Sequence, residues 1–332
     1  MRFIPPLVSV VVIGRNEGER LSRCLESVSA VTQDRFLLEV IYVDSASTDD
    51  SRERARRAGV RVLELKPERP CAALGRNAGW QAASGEFVLF LDGDTILQPD
   101  FIGLALVAMN DPKTAVVWGH RRESNPAQSV YVRVLDLDWV YPPGDTAFCG
   151  GDALMRRSVL TEVGGFDQTL IAGEEPELCR RMRARNYRIV HIDAPMTLHD
   201  LAMRHFGAYW RRAYRAGYAY AELADRFRDT SDPLWLADAR GNVLRGVVLL
   251  LAPLLAMLAL LKAPWLLIMM AAAGVALFLR STRRCAWKAP DPSTRWLYAA
   301  HSYVQQVPIL FGQLGWHLNR RCNRRAMLIE YK

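Results

Sequence analysis

The first 120 residues alternate between two kinds of segment, and this alternation restricts the fold more than any other feature of the chain. Residues 8–13, 38–43, 61–65, 87–91 and 115–119 are short apolar runs rich in β-formers. Residues 20–30, 49–58, 72–83 and 99–109 lie between them and carry apolar residues at helical spacing. Strands that alternate with helices build βαβ units, so an α/β fold with a mostly parallel sheet and flanking helices is expected. Such sheets bind ligands beyond the carboxyl ends of their strands.

Polar residues collect at that edge. Gly14, Arg15, Asn16 and Glu17 follow the first run; Asp44 and Ser45 open the loop after the second; Asp92, Gly93 and Asp94 follow the fourth. One loop of this kind could be a helix cap, as Ser47-Thr48-Asp49 illustrates. Three on one edge point to a binding site. Two carboxylates one residue apart after a buried strand can share a divalent cation, and hard oxygen ligands suit Mn²⁺ or Mg²⁺. D-x-D alone is a weak motif; its place after FVLFL strengthens it.

The second half of the chain is different. Apolar residues run almost unbroken over 246–261, pause at Lys262-Ala263-Pro264, and resume over 265–279. Each run gives about 23 Å of helix, short against a hydrocarbon core of about 30 Å. Arg240 and Arg245 precede the pair and Arg280, Arg283 and Arg284 follow it, so a membrane hairpin with both ends in the cytoplasm is expected, spanning or re-entrant. A buried helical hairpin in a soluble domain is the competing reading.

The formal net charge is +8 over 332 residues. From residue 280 to 332, ten Lys and Arg face only Asp291 and Glu330, which accounts for the whole excess. Residues 296–318 mix aromatics with Gln and His and run into Arg320, Arg321, Arg324 and Arg325, the pattern of an interfacial helix on anionic headgroups. The excess sits beside apolar helices and no recognition motif is present, so nucleic acid is not expected as a partner. The six cysteines form no C-x-x-C pair and are read as reduced thiols. The N-terminus lacks the apolar stretch of a signal peptide, and an inner-membrane protein with its catalytic part in the cytoplasm is expected. The expected regions are an α/β catalytic part over 1–200, connecting helices over 201–242, the hairpin over 243–279 and the basic tail over 280–332.

Six blocks in order, VSVVVIGRNEGERLSRCLESV, VIYVDSASTDDS, GRNAGW, FVLFLDGDTILQPD, AFCGGDALMRRSVLTEVGGFD and AGEEPELCRRMRARNYRI, resemble the family 2 glycosyltransferases of the GT-A fold over about residues 7–200. The resemblance implies transfer of a sugar from a nucleotide-sugar donor, UDP-linked in the first instance, to a saccharide or lipid-linked acceptor of the cell envelope. It implies that Gly14, Arg15, Asn16, Glu17, Asp44 and Ser45 hold the nucleoside. Arg76 and Asn77 would lie near the diphosphate and sugar with Gly93. Asp92 and Asp94 would bridge the metal, with His199 completing its site. Gly150, Gly151 and Asp152 would line the acceptor side. Glu174-Glu175 stands where the family has Glu-Asp, so Glu175 is the expected base, with Glu174 the other candidate. The extra methylene is a departure: Glu would reach about 1 Å further than Asp, so the acceptor would sit slightly differently. The same glutamates also suit a helix N-terminus. No Gln-x-x-Arg-Trp follows, which implies one sugar per encounter. A polyprenyl-phosphate glycosyl synthase, whose acceptor needs no base, and a non-catalytic sugar-nucleotide-binding scaffold at the membrane are the competing readings.

Overall fold

The structure is a computed structural model and describes residues 5–33 and 35–324. The chain divides into two compact units, residues 1–124 with 139–201 and residues 125–138 with 202–332.

The first unit is built on one nine-stranded sheet. Its elements in chain order are β1 (Leu7–Gly14), α1 (Glu19–Ser29), β2 (Leu37–Ser45), α2 (Ser51–Arg57), β3 (Arg61–Leu65), α3 (Ala72–Ala82), β4 (Phe87–Asp92), β5 (Thr95–Leu97), α4 (Phe101–Ala108) and β6 (Thr114–Glu123), then, after the excursion that carries α5 (Val130–Leu135), β7 (Gly144–Asp145), β8 (Ala153–Arg156), α6 (Arg157–Val163), α7 (Glu174–Arg183) and β9 (Arg188–His199). The strand order is β3-β2-β1-β4-β8-β6-β9-β5, with β7 also on β9. The first four strands are parallel, as the alternation predicts. β8 enters antiparallel between β4 and β6, while β6 and β9 run parallel, so the sheet as a whole is mixed. Reversing β8 leaves β6 and β9 pointing the same way as β4. The core lies against this sheet. Val10, Val11, Ile41, Leu89, Phe90 and Leu154 are fully buried, which explains why β1 and β4 read as continuous apolar runs.

The second unit is helical: α5, α8 (Phe206–Arg226), α9 (Leu236–Lys262), α10 (Trp265–Arg284), α11 (Pro292–Val304) and α12 (Gln306–Arg321). Residues 125–138 go with this unit because their polar groups are satisfied there. Arg133 reaches Asp291 and Thr294, and the Tyr298 hydroxyl donates to Asp138 at 2.9 Å. The region 296–318, expected as one interfacial helix, is two helices that break at Gln305. α8 and α12 cross at backbone distance. A Cβ on Gly217 would lie 2.1 Å from the Ile309 carbonyl oxygen, and one on Gly312 would lie 2.0 Å from that of Tyr214, so both positions require glycine.

The two apolar runs become longer helices than the runs themselves. α9 has 27 residues and α10 has 20, about 40 Å and 30 Å. Polar first turns of α9 and the arginine end of α10 supply the added length. Both are long and apolar enough to cross a membrane, and of their most apolar windows only 11% and 0% is buried. Among the described residues the hairpin is thus largely exposed, which the competing reading of a buried hairpin does not lead one to expect. Arg325 and the rest of the tail to Lys332 lie outside the described residues.

Candidate active site

Strand direction assembles the site. β1, β2, β4, β6 and β9 all end at one edge of the sheet, and the antiparallel β8 begins there. In register, Gly14 stands opposite Asp44, and Ile13 opposite Asp92. The edge therefore collects Gly14–Glu17, Asp44, Asp92–Asp94, Gly150–Asp152 and His199 from distant parts of the chain. α7 adds its first turn. Gly173 is its N-cap in a left-handed conformation (φ 87°), which only glycine adopts without strain, and Glu174, Glu175 and Glu177 follow directly. The acidic first turn suits the positive end of the helix, so the capping reading holds alongside any chemical role.

Arg76, projecting from α3 and 3% exposed, is the centre of the charge network. Its Nη1 lies 2.9 Å from Glu174 Oε1 and 2.9 Å from Glu175 Oε1, and its Nη2 lies 3.1 Å from Asp92 Oδ1. Arg121, equally buried, lies 3.1 Å from Asp152 Oδ2 and 3.6 Å from Asp92 Oδ2, with its guanidinium 4.5 Å over the Trp139 ring. Asp92 thus sits between two guanidiniums. Gly151 roofs the network, since a Cβ there would lie 2.5 Å from Arg76 Nη2 and 3.4 Å from Glu175 Oε1. Burial and the neighbouring Glu174 charge raise the Glu175 carboxyl to about 7, with Arg76 opposing. A carboxylate poised near neutrality is what general-base chemistry needs. Asp152 is also raised, by burial first and by the charge of Asp92, against Arg121.

A second pair faces this network. Asp94 Oδ2 lies 3.2 Å from His199 Nε2, and His199 Nδ1 is 2.7 Å from Glu123 Oε1. The backbone sets this contact, because β5 pairs antiparallel with β9 and places Thr95 opposite His199. Burial and Arg121 oppose a charged imidazole, but Asp94 and Glu123 outweigh them and lift His199 to about 9. Carboxylate and imidazole donors suit Mn²⁺, and a histidine whose far nitrogen is fixed by a carboxylate is the usual support of a metal ligand. Asp94 and His199, with Asp92 alongside, fit a divalent ion on these grounds. No three His, Cys, Asp or Glu side chains among the described residues form a ready-made ligand cluster. Asp92 is held instead by the two arginines.

The expected site residues divide into two groups. Arg76, Asp92, Asp94, Gly151, Glu174, Glu175 and His199 converge, with Gly93 buried beneath Asp92 and its N–H donating to the Ile13 carbonyl at 2.8 Å. Of the others, Asn16, Glu17, Asp44, Asn77 and Asp152 make hydrogen bonds that hold the loops and strands around them. Asp44, 1% exposed, accepts from the Tyr42 hydroxyl and the Ser47 N–H. Asn16 takes a left-handed conformation and accepts from the Thr48 N–H, and the Ser51 hydroxyl accepts from the Glu17 N–H. Arg15, Ser45 and Gly14 border this loop half-buried. Asn77 brackets the next loop, donating to the Phe166 carbonyl and accepting from the Phe166 N–H and Trp80. Gly150 packs on Trp139. Asp152, fully buried, accepts from the Asp92 N–H at 3.0 Å and the Thr197 hydroxyl at 2.8 Å, tying β4 to β9. His199 is the last residue of β9.

Arg121, Glu123, Thr197 and Trp139 belong to no motif in the sequence. Arg121 and Glu123 do leave a signal. They are charged residues two apart at the carboxyl end of an apolar strand, so they share one face, and both are buried.

The profile of Glycosyl transferase family 2 matches residues 9–164, and that of Glycosyl transferase family group 2 matches residues 87–280, more than half of the chain. Glycosyltransferase AglE of Haloferax volcanii is 23% identical over 64% of this chain and 72% of its own length. Pre-mycofactocin glycosyltransferase of Mycobacterium tuberculosis is 28% identical over 68% of this chain, which spans about half (49%) of that relative. Mannosyltransferase PcManGT from Pyrobaculum calidifontis, solved with GDP-Man and Mn²⁺, has a similar fold (TM-score 0.68, 21% identity, 96% of this chain and 88% of that one).

Proposed function

The chain is a family 2 glycosyltransferase of the GT-A fold, and from that premise we propose that it transfers a sugar with inversion from a nucleotide-diphosphate sugar to a lipid-linked or envelope saccharide, one sugar per encounter. One observation carries the reading. A single buried guanidinium, Arg76, touches both the aspartate at the metal position, Asp92, and the glutamate at the base position, Glu175. The donor and acceptor ends of the reaction are thus within the span of one side chain.

Glu175 takes the proton of the attacking hydroxyl; at 15% exposure its side chain is the more accessible of the pair, against 5% for Glu174. The buried Glu174 shapes the charge that Glu175 feels. Arg76 and Arg121 hold the acidic network together and present positive charge where a diphosphate would depart. Asp92, Asp94 and His199 would hold the divalent ion, with Glu123 fixing the imidazole. Bound there, Mn²⁺ or Mg²⁺ neutralises charge on the leaving diphosphate. The loops Gly14–Glu17 and Asp44–Asp49 shape the nucleoside pocket through backbone they hold in place.

α9 and α10 are read as a membrane hairpin, with Arg240, Arg245, Arg280, Arg283 and Arg284 keeping both ends on the cytoplasmic side of the inner membrane. These exposed apolar helices also favour a second reading of the acceptor as a polyprenyl phosphate. Purified protein is to be screened with UDP- and GDP-linked sugars, with and without Mn²⁺, on saccharide and polyprenyl-phosphate acceptors. Metal-dependent release of nucleoside diphosphate, lost by roughly 10³-fold in Asp94→Ala, is expected. No release from any donor, or release untouched by Asp94→Ala, overturns the proposal. Transfer only to polyprenyl phosphate selects the second reading.

A further inference from the structure

The arginine end of α10 is a separate feature that the transfer chemistry does not use. Ala276, Leu279, Arg280, Arg283 and Arg284 line a cavity of about 480 Å³. Their spacing along the helix puts all five on one face. The three guanidiniums are exposed, and none is ion-paired among the described residues. Arg320 of the basic tail differs, since it is paired with Asp225 and lies over the Trp316 ring. Two indoles stand exposed nearby in sequence, Trp287 at 58% and Trp296 at 57%, and Trp296 meets Phe278 of α10 edge-on at 6.1 Å.

We propose that this face is a binding site for the headgroup of an anionic phospholipid, a reading that rests on α10 lying in a membrane. A phosphodiester offers oxygens to guanidinium forks, which recognise phosphate in a bidentate manner. Ala276 and Leu279 supply the apolar wall for the first carbons of the acyl chains. The two exposed tryptophans match the interfacial preference of indole. The helix dipole accounts for a cation in the last turn, but not for three around one cavity. A nucleic acid would satisfy the arginines and leave the apolar wall unused, so a lipid is the better occupant.

The test reconstitutes the full chain in vesicles containing brominated phosphatidylglycerol or brominated phosphatidylcholine and reads tryptophan quenching, with Trp287→Phe marking the local signal. Each arginine near an anionic leaflet strengthens binding about fivefold, so three give on the order of a hundredfold preference for phosphatidylglycerol. That preference should fall as salt is raised. It should vanish in the Arg280→Gln/Arg283→Gln/Arg284→Gln variant, whose sugar transfer stays at the wild-type rate. If the triple variant does not fold, Arg283→Gln alone, with the salt titration of the wild type, decides between the same two outcomes. Equal quenching by the two lipids, or a preference unchanged by the substitutions, overturns the site. A protein that floats with neither vesicle fails the membrane reading itself. Stronger salt-sensitive binding to an oligonucleotide than to phosphatidylglycerol also overturns the site.

Discussion

The sheet edge and the α9–α10 hairpin invert each other's chemistry. At the edge, Arg76, Arg121, Asp94, Asp152, Glu174 and His199 are charged or titratable and buried. In the hairpin, Leu251, Leu255, Leu260, Leu261, Ile268 and Met269 are apolar and exposed. A protein folded wholly in water would do neither without a reason, because buried charge must be paired and large exposed apolar patches mark contact surfaces. The edge pairs its charges with one another. The hairpin leaves its surface to a partner that the protein does not supply. Burial alone thus does not follow polarity in this chain, and the mismatch between the two sets both regions apart.

The largest effect that separates the two regions is chemical. Glu175→Gln should lower kcat by about 10²–10⁴-fold, roughly 3–5 kcal/mol, with little change in donor KM, as seen in steady-state nucleotide release. Next comes a packing effect. Leu89→Ala, in the fully buried β4, should destabilise by about 2–5 kcal/mol in denaturant unfolding of the detergent-solubilised protein. A smaller effect tests the support of the imidazole: Glu123→Gln should weaken Mn²⁺ binding by about 10–100-fold, read by calorimetry, with the fold intact. The smallest belongs to the hairpin. Leu260→Ala, at a position 60% exposed, should change stability in detergent by less than about 0.5 kcal/mol. If Leu260→Ala matched Leu89→Ala, the hairpin would be packed and the contrast would be lost.

Much of the fold is legible in the sequence because the signals are local. β1 and β4 are nearly continuous apolar runs, Asp92 closes β4, and Asp94 lies two residues further on. The reversal of β8 is not legible, since ALMR is four residues long and its direction depends on partners far away in the chain. The same holds for Asp152, Asn77 and Asp44. Their residue types fit ligand contacts, but their polar atoms also bond within the protein, to Thr197 and Phe166 far away in the chain and to Tyr42 within β2. Arg121 and Glu123 can be read from the two-residue period at the end of β6. The full length of α9 cannot be read from the apolar run, because its first turns are polar.

Glu175, lifted to about 7 by burial and by Glu174, is the proposed base. Because only the ionised carboxylate accepts a proton, activity must rise with pH. The direct measurement is the pH profile of kcat/KM for the acceptor in wild type and Glu175→Gln at saturating Mn²⁺. The wild-type rate should climb about tenfold per unit below pH 7 and level above it, with this limb absent from the residual activity of the variant. A flat wild-type profile between pH 5 and 9, or the same ascending limb in Glu175→Gln, would contradict it.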